Sequence, residues 1–496
     1  FSGSAWCSDS SATGWEPILT FTGNFNGGGH TINNLYINRD SSDNIGLFGR
    51  LSDATIDNLT IANIDVSGRG WVGGLAGYVA GSDINNCTTS GYLTGKGENI
   101  GGLCGKIQNS TVVSNCHSSA TTNGGNNTGG LVGYSYCNNY SYYSVINNSS
   151  ATGSVSGHDY VGGLVGRYDV SNRTITISNC YASGDVTGNS YVGGLVGYLL
   201  YSKVNNCYAS GDVTGDSYVG GLLGYNKTYY ETTNCYSSGS VTGNSVVGGF
   251  IGYNDARSAT NSIVLACFYN RETSGQTMAI GEDIGTSGTY LYGFTTEQMK
   301  QQSYFTDQSW DFVCETINGT KQIWAMNDTV NNGAPFLSWQ GYPYDEEPPV
   351  ITSTYNDTTI FAGADCEVQL SDYTQNLTYT ENCDLNVDIL QTPAPGTLLS
   401  EAVNKIYIII TDGSGNSDST FFNILINDAI APVPDVNPLP DIFSACSLIK
   451  LDAPTATDNC AGTVSGTHDA TLPIITPGTT VVTWTYDDGK GNTSAQ

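Results

Sequence analysis

The chain contains few of the residues on which metalloenzymes and nucleic-acid-binding proteins depend. Its 496 residues include four histidines and 16 Lys plus Arg, against 45 Asp plus Glu, for a net charge of −29. No histidine stands in a His-Glu-x-x-His pattern, so a zinc-peptidase site lacks its ligands. A surface this acidic repels nucleic acid and anionic membranes, and we expect neither as a partner.

Long apolar runs and nucleophile motifs are also missing. The sequence has no stretch of 18 apolar residues, which predicts that this segment does not insert into a membrane. No Gly-x-Ser-x-Gly elbow or phosphate-binding loop follows a suitable strand. Glycoside hydrolysis needs paired carboxylates in one cleft, whereas the acidic residues here are dispersed among turns. The sequence therefore predicts a protein that is not an enzyme.

A glycine-rich repeat dominates the first half of the chain. Its clearest copy is Tyr191-Val-Gly-Gly-Leu-Val-Gly-Tyr198. Eight copies have central apolar residues separated by 28, 28, 28, 33, 31, 27 and 28 residues: Leu47, Leu75, Leu103, Leu131, Leu164, Leu195, Leu222 and Phe250. A fixed period in this range indicates stacked structural repeats.

A second motif, Asn206-Cys-Tyr-Ala-Ser-Gly-Asp-Val-Thr-Gly215, recurs with the first. Each repeat thus holds short β-prone runs separated by Gly, Asn, Asp and Ser turns, and none of these runs suits a helix. The runs can bury their apolar sides only by stacking on neighbouring repeats. We predict an all-β chain whose first part is a parallel β-solenoid, right-handed because parallel crossovers favour that hand. Eight coils at about 4.8 Å each give a rod of roughly 40 Å.

The [YW]-V-G-G-L-x-G-Y pattern resembles the GLUG repeat of secreted bacterial surface proteins. Residues 21–35 are similar to the lead-in of such arrays, and residues 296–299, 310–312 and 335–339 are similar to the segment that closes them. We therefore assign an N-terminal cap and first coil to 1–44, the GLUG array to 45–267, and a C-terminal cap with linker to 268–345. A helix is expected at 296–305, where Thr296 is the N-cap.

From Pro349 onward the pattern changes to alternating strands at the spacing of β-sandwiches. We predict two immunoglobulin-like modules, module 1 at 346–428 and module 2 at 429–496. The stretch Pro454-Thr-Ala-Thr-Asp-Asn-Cys460 and residues 481–492 resemble HYR-type modules, which occur in tandem in large surface proteins of Bacteroidetes. Module 2 stops before its last strand and the chain starts without Met, so we expect a piece of a longer secreted protein.

The cysteines fall into two groups with different expected chemistry. In the array, Cys87, Cys116, Cys180, Cys207, Cys235 and Cys267 share one place in the repeat. Stacking at about 4.8 Å exceeds the 3.5–4.5 Å between the Cβ atoms of a disulfide, so we predict buried free thiols. In the modules, spacings of 17 and 14 residues favour local disulfides, Cys366 with Cys383 and Cys446 with Cys460.

Two polar or aromatic columns accompany the cysteines. An asparagine precedes five of these cysteines and Ser149, which takes the cysteine's place in one repeat. We expect these asparagines to bond from coil to coil: Asn86, Asn115, Asn148, Asn179, Asn206 and Asn234. The glycine motif is followed by a tyrosine column, Tyr78, Tyr134, Tyr198, Tyr225 and Tyr253, and a parallel set is Tyr181, Tyr208 and Tyr236. Tyrosine can stack on sugar rings, so the five-residue column is a candidate glycan site. The alternative is tyrosine packed on tyrosine, which would stiffen the rod.

Calcium is the one cofactor that the sequence suggests. Residues 412–418 place oxygen ligands at alternate positions, partly like a calcium loop. The candidate ligands are Asp412, Asn416, Asp418, Asp487 and Asp488, and Asp345, Glu346, Glu347 and Asp428 also lie near predicted module junctions. The alternative is an ordinary Asp-Gly or Gly-Asn turn.

These observations predict an extracellular or cell-surface adhesin segment. A β-solenoid would present a contact face to a surface, polysaccharide or other cell, and the modules would form a stalk. The competing hypothesis is a subunit of an extracellular filament that assembles with copies of itself. A third is the non-catalytic arm of a surface enzyme.

Overall fold

The computed structural model describes residues 13–137, 142–170, 175–227, 230–255, 264–284, 289–315, 318–342, 345, 347–381, 383, 387–400 and 402–496. The chain divides into two units, Phe1–Tyr344 and Asp345–Gln496. Residues 1–12 of the predicted N-terminal cap and Glu346 lie outside the described residues.

The first unit is a parallel β-solenoid in which one repeat makes one coil. A representative coil contains the strands Val196–Leu200, Ser202–Asn205, Tyr208–Ala209, Val213–Thr214 and Ser217–Gly220. The next coil stacks on it in parallel, with Tyr198 opposite Tyr225 and Val213 opposite Val241. The separations of 27 and 28 residues are therefore the chain length of one coil, and the predicted stacking is confirmed.

The coils form two sheets among the described residues, one of nine strands and one of 30. The nine-stranded sheet, here called the glycine-motif sheet, consists of Phe48–Ser52, Ala76–Ala80, Cys104–Gln108, Val132–Cys137, Val165–Val170, Val196–Leu200, Leu223–Lys227, Ile251–Asn254 and Ile280–Asp283.

The larger sheet holds four stacks of short strands and five long strands that join them. The stack before the cysteine position is Asn24–Asn26, Thr55–Asp57, Asp83–Asn85, Thr111–Ser114, Ser144–Asn147, Ile175–Ser178, Ser202–Asn205 and Thr232–Thr233. The stack after it is Thr31–Asn33, His117–Ser118, Ser150–Ala151, Tyr181–Ala182, Tyr208–Ala209 and Tyr236–Ser237.

The remaining strands complete the coils. A third stack is Thr121–Asn123, Val155–Ser156, Val186–Thr187, Val213–Thr214 and Val241–Thr242. The fourth is Ile100–Gly101, Thr128–Gly129, Asp159–Gly162, Ser190–Gly193, Ser217–Gly220 and Ser245–Gly248. The long strands are Tyr36–Ile45, Thr60–Gly73, Thr88–Gly95, Val264–Asn270 and Thr289–Phe294.

The glycine motif is explained by a close approach of backbones inside the rod. A Cβ atom on Gly193 would lie 2.1 Å from the Val196 carbonyl oxygen, and one on Gly194 would lie 2.1 Å from that of Gly221. Any side chain at either place would therefore push adjacent segments apart. The following apolar residue, such as Leu195, is fully buried and fills the interior of its coil.

The array is longer than its sequence motif. Val264–Asn270 pairs in parallel with Thr289–Phe294, and Ile251–Asn254 pairs with Ile280–Asp283. The boundary predicted at residue 267 is therefore too early, because a further coil reaches Phe294. Parallel pairing uses backbone groups, so a coil can continue after the glycine motif has ended.

The predicted C-terminal cap covers a side of the rod. Its Trp310, Phe312, Trp324 and Phe336 are buried. Trp324 packs 6.3 Å from Tyr208 and 6.1 Å from Tyr236, measured between ring centroids. Trp339 stacks on His117 at 5.3 Å and donates a hydrogen bond to the Asn179 carbonyl. The column Tyr181, Tyr208 and Tyr236 is therefore covered by this lateral cap, residues 295–342.

Helical structure in the described residues is limited to short pieces in the lateral cap and one turn in module 1. The helix predicted at 296–305 is divided into the 3₁₀ turn Gln298–Lys300 and the α-helix Gln302–Thr306, because Gln301 between them is extended. The other 3₁₀ turns are Asn331–Gly333, Ser338–Gln340 and Thr374–Asn376, and Trp324–Ala325 pairs with Phe336–Leu337. Among the described residues, no helix has the length and apolarity needed to cross a membrane.

The second unit contains small, mostly antiparallel sheets. The largest orders its strands Thr358–Phe361, Ser417–Asn427, Val403–Thr411 and Asp388–Thr392, and only the first pair is parallel. Module 1 adds the pairs Val350–Ile351 with Tyr379–Thr380 and Glu367–Gln369 with Leu398–Ser400. Module 2 has two three-stranded sheets, Val433–Pro434, Thr455–Asp458 and Gly462–Ser465, and Thr467–His468, Trp484–Asp487 and Thr493–Ala495.

One disulfide of this unit differs from both predicted pairs. Cys366 bonds to Cys460, 94 residues away and 5.1 Å distant between Cα atoms. Cys446 is an exposed free thiol. The predictions Cys366–Cys383 and Cys446–Cys460 are therefore wrong. Folding brings the two modules together here, since the Asn459 amide also donates a hydrogen bond to the Gly363 carbonyl at 3.1 Å.

The cysteine column of the solenoid is confirmed, and three of the asparagines bond from coil to coil as predicted, whereas Asn86 donates to Asp57 instead. All six column cysteines are buried free thiols, as are Cys104 and Cys137. The Asn206 amide donates to the Asn179 side chain at 3.0 Å, and Asn179 donates to Asn148 at 3.1 Å. All six asparagines also have a positive φ of 46–53°, which the sequence analysis did not anticipate. Asparagine tolerates this left-handed conformation better than most residues, so it suits a coil corner.

Thiol reactivity tests the burial of the cysteine column. Burial raises the pKa of Cys116, Cys180 and Cys235 and removes them from solvent. We expect iodoacetamide at pH 8 to label Cys446 in the folded protein and the eight buried thiols only after unfolding, as mapped by peptide mass spectrometry. Rapid labelling of the column in the folded state would contradict the stacking.

Disulfide mapping tests the pairing between modules. Digestion without reduction is expected to give a linked peptide pair containing Cys366 and Cys460. The variant C366S should lose that pair, and its second unit should unfold at lower temperature because a 94-residue loop is no longer closed, a loss of about 2–5 kcal/mol. Finding Cys366 linked to Cys383 would contradict the bond between modules and would support the local pair predicted from the sequence.

Candidate functional site

The predicted tyrosine column is a mixed column of cations and tyrosines. Along the glycine-motif sheet, Arg50 lies opposite Tyr78, Tyr78 opposite Lys106, and Lys106 opposite Tyr134. The column continues in register through further coils, and its members are Arg50, Tyr78, Lys106, Tyr134, Arg167, Tyr198, Tyr225 and Tyr253. We call this set the cation–tyrosine column.

The ring faces in this column are turned toward their neighbours. Tyr225 stacks on Tyr198 at 4.8 Å and on Tyr253 at 5.1 Å. Tyr134 lies between Lys106 and Arg167, which are 5.3 and 5.4 Å from its ring centroid. Stacked rings of this kind stiffen the rod, which is the alternative raised by the sequence. The column therefore presents ring edges, hydroxyls and cations to a ligand, while its inner ring faces are already in contact.

A second aromatic column borders the first. Tyr191 stacks on Tyr160 at 4.9 Å and on Tyr218 at 4.8 Å. These residues, and Trp71 at the same place in an earlier coil, have positive φ values of 51–61°. Bulky residues seldom adopt this conformation, and such strain is concentrated at functional sites. At Trp71 the indole lies 5.8 Å from Tyr78 in a tilted arrangement, and no second aromatic ring is stacked on it among the described residues.

The first coils line an open cavity of about 590 Å³ where the two columns meet. Trp71 and Tyr78 supply its aromatic wall, and Arg50 and Lys106 supply positive charge. The rest of the lining includes Glu16, Arg39, Asp43, Asn44 and Gln108. The volume is in the range of small-molecule sites, and the lining combines apolar faces with a few directed polar groups.

Two cations of this cavity are not neutralised by carboxylates. Arg39 pairs with Glu16, and Arg69 pairs with Asp43. Among the described residues, neither Arg50 nor Lys106 forms an ion pair. Arg50 lies 4.8 Å from the Tyr78 ring, and Lys106 lies 5.8 Å from Trp71. Burial lowers the pKa of Lys106. A carboxylate or sulfate of a ligand would supply the missing counter-charge.

The acidic residues of the cavity are committed to ion pairs. The hydrogen bond from Arg69 holds the pKa of Asp43 below its usual range. A carboxylate with a lowered pKa stays ionised at neutral pH and is poorly suited to act as a general acid. The chemistry that this lining favours is recognition of an anion beside an aromatic surface.

The cations were missed because the sequence analysis followed only tyrosine. Arg50, Lys106 and Arg167 each follow the last glycine of a motif copy, at Gly49, Gly105 and Gly166. They occupy the place where other copies have tyrosine. Alignment of the eighth residue of every repeat would have found them.

The structure places some of the predicted calcium ligands in two acidic clusters and leaves the others outside them. Asp412 joins Asp345 and Glu381 in one cluster, and Asp488 joins Asp428 and Asp458 in another, with one oxygen from each residue within 4.8 Å of the others. Asn416 and Asn492 donate hydrogen bonds to the clusters through their amides.

The other candidates lie outside both clusters. Asp418 accepts hydrogen bonds from the backbone N–H groups of Ile351 and Ser419, and Asp487 accepts one from Gly489. Glu347 donates its own N–H to Asp345. Glu381 and Asp458 were missed, because their distance in sequence from the other members gave no local pattern.

Comparison with known proteins agrees with the repeat architecture. Residues 157–187 and 188–214 match the GLUG motif family. Halomucin of Haloquadratum walsbyi (strain DSM 16790 / HBSQ001) is 44% identical over 73 residues, which span 13% of this chain and 1% of halomucin. A crystal structure described as an immunoglobulin A1 protease from Bacteroides ovatus aligns over 64% of this chain and 77% of its own, with 18% identity and a TM-score of 0.34. The motif match and the stacked coils together show a GLUG-repeat β-solenoid.

The tyrosine packing predicts a pH dependence of stability. Burial raises the pKa of Tyr198 to about 12 and raises that of Tyr134 and Tyr225 as well. The neutral rings thus contribute stability that is complete below pH 10 and is lost as the pH rises through 12. We expect tyrosinate absorbance and β-sheet circular dichroism to change together in this range.

Substitutions separate the ring from its hydroxyl. Y198A should destabilise the solenoid by about 3 kcal/mol because it leaves a gap between Arg167 and Tyr225. Y198F keeps the stacked ring and should unfold at higher pH than the wild type. The control is Y92F, because Tyr92 is 67% exposed and outside both columns. An alkaline transition unaffected by Y198F would contradict the assignment.

Proposed function

We propose that this chain is an adhesin segment that binds an acidic glycan in the cavity around Trp71 without catalysing a reaction. The observation that carries the proposal is the pair of unneutralised cations, Arg50 and Lys106, beside an aromatic wall. The chain as a whole has a net charge of −29, which repels polyanions, so two cations without carboxylate partners are a local exception. A local basic site on an acidic surface selects ligands whose negative groups can enter the site while the rest of the ligand stays clear of the acidic surface.

The geometry indicates how a uronic or sulfated sugar would fit. Its carboxylate or sulfate would accept hydrogen bonds from the Arg50 guanidinium and the Lys106 ammonium. The apolar face of its ring would pack on the Trp71 indole, which no second aromatic ring covers among the described residues. Asn44 and Gln108, also in the lining, can bond to sugar hydroxyls. Neighbouring sugars of a polysaccharide could extend along the ring edges of the cation–tyrosine column.

An extracellular or cell-surface setting follows from the same proposal. The GLUG-repeat solenoid is the rigid part that holds the cavity, and the second unit would be two immunoglobulin-like modules that serve as a stalk. The similarity to halomucin covers only 73 residues, so it supports the repeat and does not identify a ligand.

The competing function is self-assembly into a filament, and one surface of module 1 favours it. On the outer face of its largest sheet, Val403 lies opposite Leu425 and Tyr407 lies opposite Phe421. These four apolar side chains are 39–65% exposed. Lys405 lies between the two pairs, with its ammonium 3.7 Å from the Phe421 ring centroid. An exposed face of this largely apolar kind can pack against a second copy of the chain.

Binding to polysaccharides of matched size and different charge tests the proposal. Beads coated with the 496-residue chain should bind polygalacturonate and dextran sulfate, should ignore neutral dextran, and should release the polyanions as salt rises. R50A/K106A should weaken binding at least about 100-fold, since each of the two charged hydrogen bonds contributes about 1.5–3 kcal/mol.

A charge-matched control distinguishes the site from general attraction. K203A/K300A removes two positive charges that pair with Glu231 and Glu297 away from the cavity, and it should bind like the wild type. Equal loss of polyanion binding in both double variants would show that net charge alone accounts for binding, and it would contradict the proposed site. No binding to either polyanion, with concentration-dependent oligomers in sedimentation, would favour the filament.

A further inference from the structure

Three buried carboxylates converge at the start of module 2. Asp428, Asp458 and Asp488 each offer an oxygen within 4.8 Å of the other two. The residues are 2%, 4% and 9% exposed. Asp428 directly follows the strand Ser417–Asn427, Asp458 ends Thr455–Asp458, and Asp488 follows Trp484–Asp487. Three separate strands thus bring like charges into one protected place.

No cationic side chain in the described part of the chain balances the charges of this cluster. Among the described residues, no Lys or Arg side chain forms an ion pair with any of the three carboxylates. Oδ2 of Asp428 and Oδ2 of Asp458 are inaccessible to solvent and have no hydrogen-bond partner. Buried carboxylates repel one another strongly unless a cation or a proton lies between them.

Each carboxylate is held so that an oxygen points into the cluster. Oδ1 of Asp428 accepts a hydrogen bond from the Ile430 N–H at 3.0 Å. Oδ1 of Asp458 accepts bonds from Cys460 and Ala461 at 2.9 and 2.8 Å. Backbone N–H groups thus fix Oδ1 of both residues, whereas Oδ2 of each is buried without a hydrogen-bond partner. This arrangement is a preorganised ligand set rather than an exposed acidic patch.

The third carboxylate is fixed in the same way. Oδ1 of Asp488 accepts bonds from the backbone N–H groups of Lys490, Gly491 and Asn492, at 2.7, 3.1 and 3.1 Å. Its Oδ2 accepts a bond from the Asn492 side-chain amide at 2.6 Å, and the same amide donates to the Asp428 carbonyl at 3.3 Å.

Module 1 repeats this frame in its own cluster. The Asn416 amide donates to Oδ2 of Asp412 at 2.9 Å and to the Asp345 carbonyl at 3.1 Å. The Asn416 N–H donates to Oδ1 of Asp412 at 2.8 Å. Asp412 and Asn416 therefore correspond to Asp488 and Asn492, and Asp345 corresponds to Asp428. Two copies of one oxygen cage are better explained by a shared ligand than by chance.

We propose that Asp428, Asp458 and Asp488 bind a calcium ion and that Asp345, Glu381 and Asp412 bind a second one. The donors are all oxygens, which excludes the thiolate and imidazole sets typical of zinc and copper. Calcium accepts several carboxylates in flexible geometry, whereas magnesium retains most of its water and favours a strict octahedron.

The ion at module 2 would fix the junction between the modules. Asp428 is the last residue of module 1, while Asp458 and Asp488 belong to module 2. Together with the Cys366–Cys460 disulfide, the ion gives the second unit two separate ties across its modules. Removing the ion would leave the carboxylates repelling one another at the junction.

Calorimetric titration of the chelator-treated full chain with calcium chloride tests the proposal. We expect two sites with Kd on the order of 10⁻⁴ M, the range of extracellular calcium modules, and at least tenfold weaker binding of magnesium. D458N should lose one site and keep the other, D412N/D458N should bind no calcium, and D487N, altered next to Asp488 but outside the cluster, should keep both. The absence of binding to the wild type, or two sites in D458N, overturns the proposal.

Thermal unfolding separates ion binding from a folding defect. In chelator, D458N should melt at the same temperature as the wild type or higher, because it removes one of three repelling charges. In millimolar calcium, only the wild type and D487N should show the full increase in melting temperature that two bound ions give. A lower melting temperature of D458N in chelator would show that the carboxylates stabilise the fold without an ion, and would overturn the proposal.

Discussion

Coil-to-coil hydrogen bonding in register is the interaction on which the first unit depends. Each backbone segment bonds to the equivalent segment 27 to 33 residues away, as Leu195 does to Leu222 and Leu131 does to Leu164. Identical positions therefore lie above one another, and a residue type repeated in the sequence becomes a column on the surface or in the core. The buried thiols, the asparagine ladder and the stacked tyrosines are three results of this one constraint.

Columns also explain how a regular rod acquires a local site. A substitution in a single coil changes one member of a column without disturbing the backbone. Arg50, Lys106 and Arg167 replace tyrosine in this way and remain packed against the rings beside them. In the first coils such cations lie beside a tryptophan and an open cavity. The candidate site is thus a departure from the repeat, while the repeat supplies its rigidity.

Much of the solenoid could be predicted from the sequence, because its contacts recur at one spacing. The eight apolar residues from Leu47 to Phe250 defined the coil length, and the spacing argument correctly gave free thiols for the six column cysteines. Contacts without a period were not predictable. The lateral cap packs on Tyr208 and Tyr236 from about 90 residues or more away, and Cys366 bonds across 94 residues. The acidic clusters were predictable only in part. Asp412 and Asn416 form a pattern within a few residues of the sequence, whereas Glu381 is distant from both in the sequence.

The central claim is that one motif repeat is one stacked coil, and deletion of a whole coil tests it most directly. Residues 104–131 form one period, and Cys104 already pairs in register with Val132. Thermal unfolding followed by circular dichroism should show a cooperative transition within a few degrees of the wild type for this deletion, because the new junction joins equivalent positions. Deletion of residues 104–117 removes half a period and should abolish the transition, because the strands after the deletion would stack on strands from a different position in the repeat. Equal stability of the two deletion variants would contradict the stacked-coil architecture.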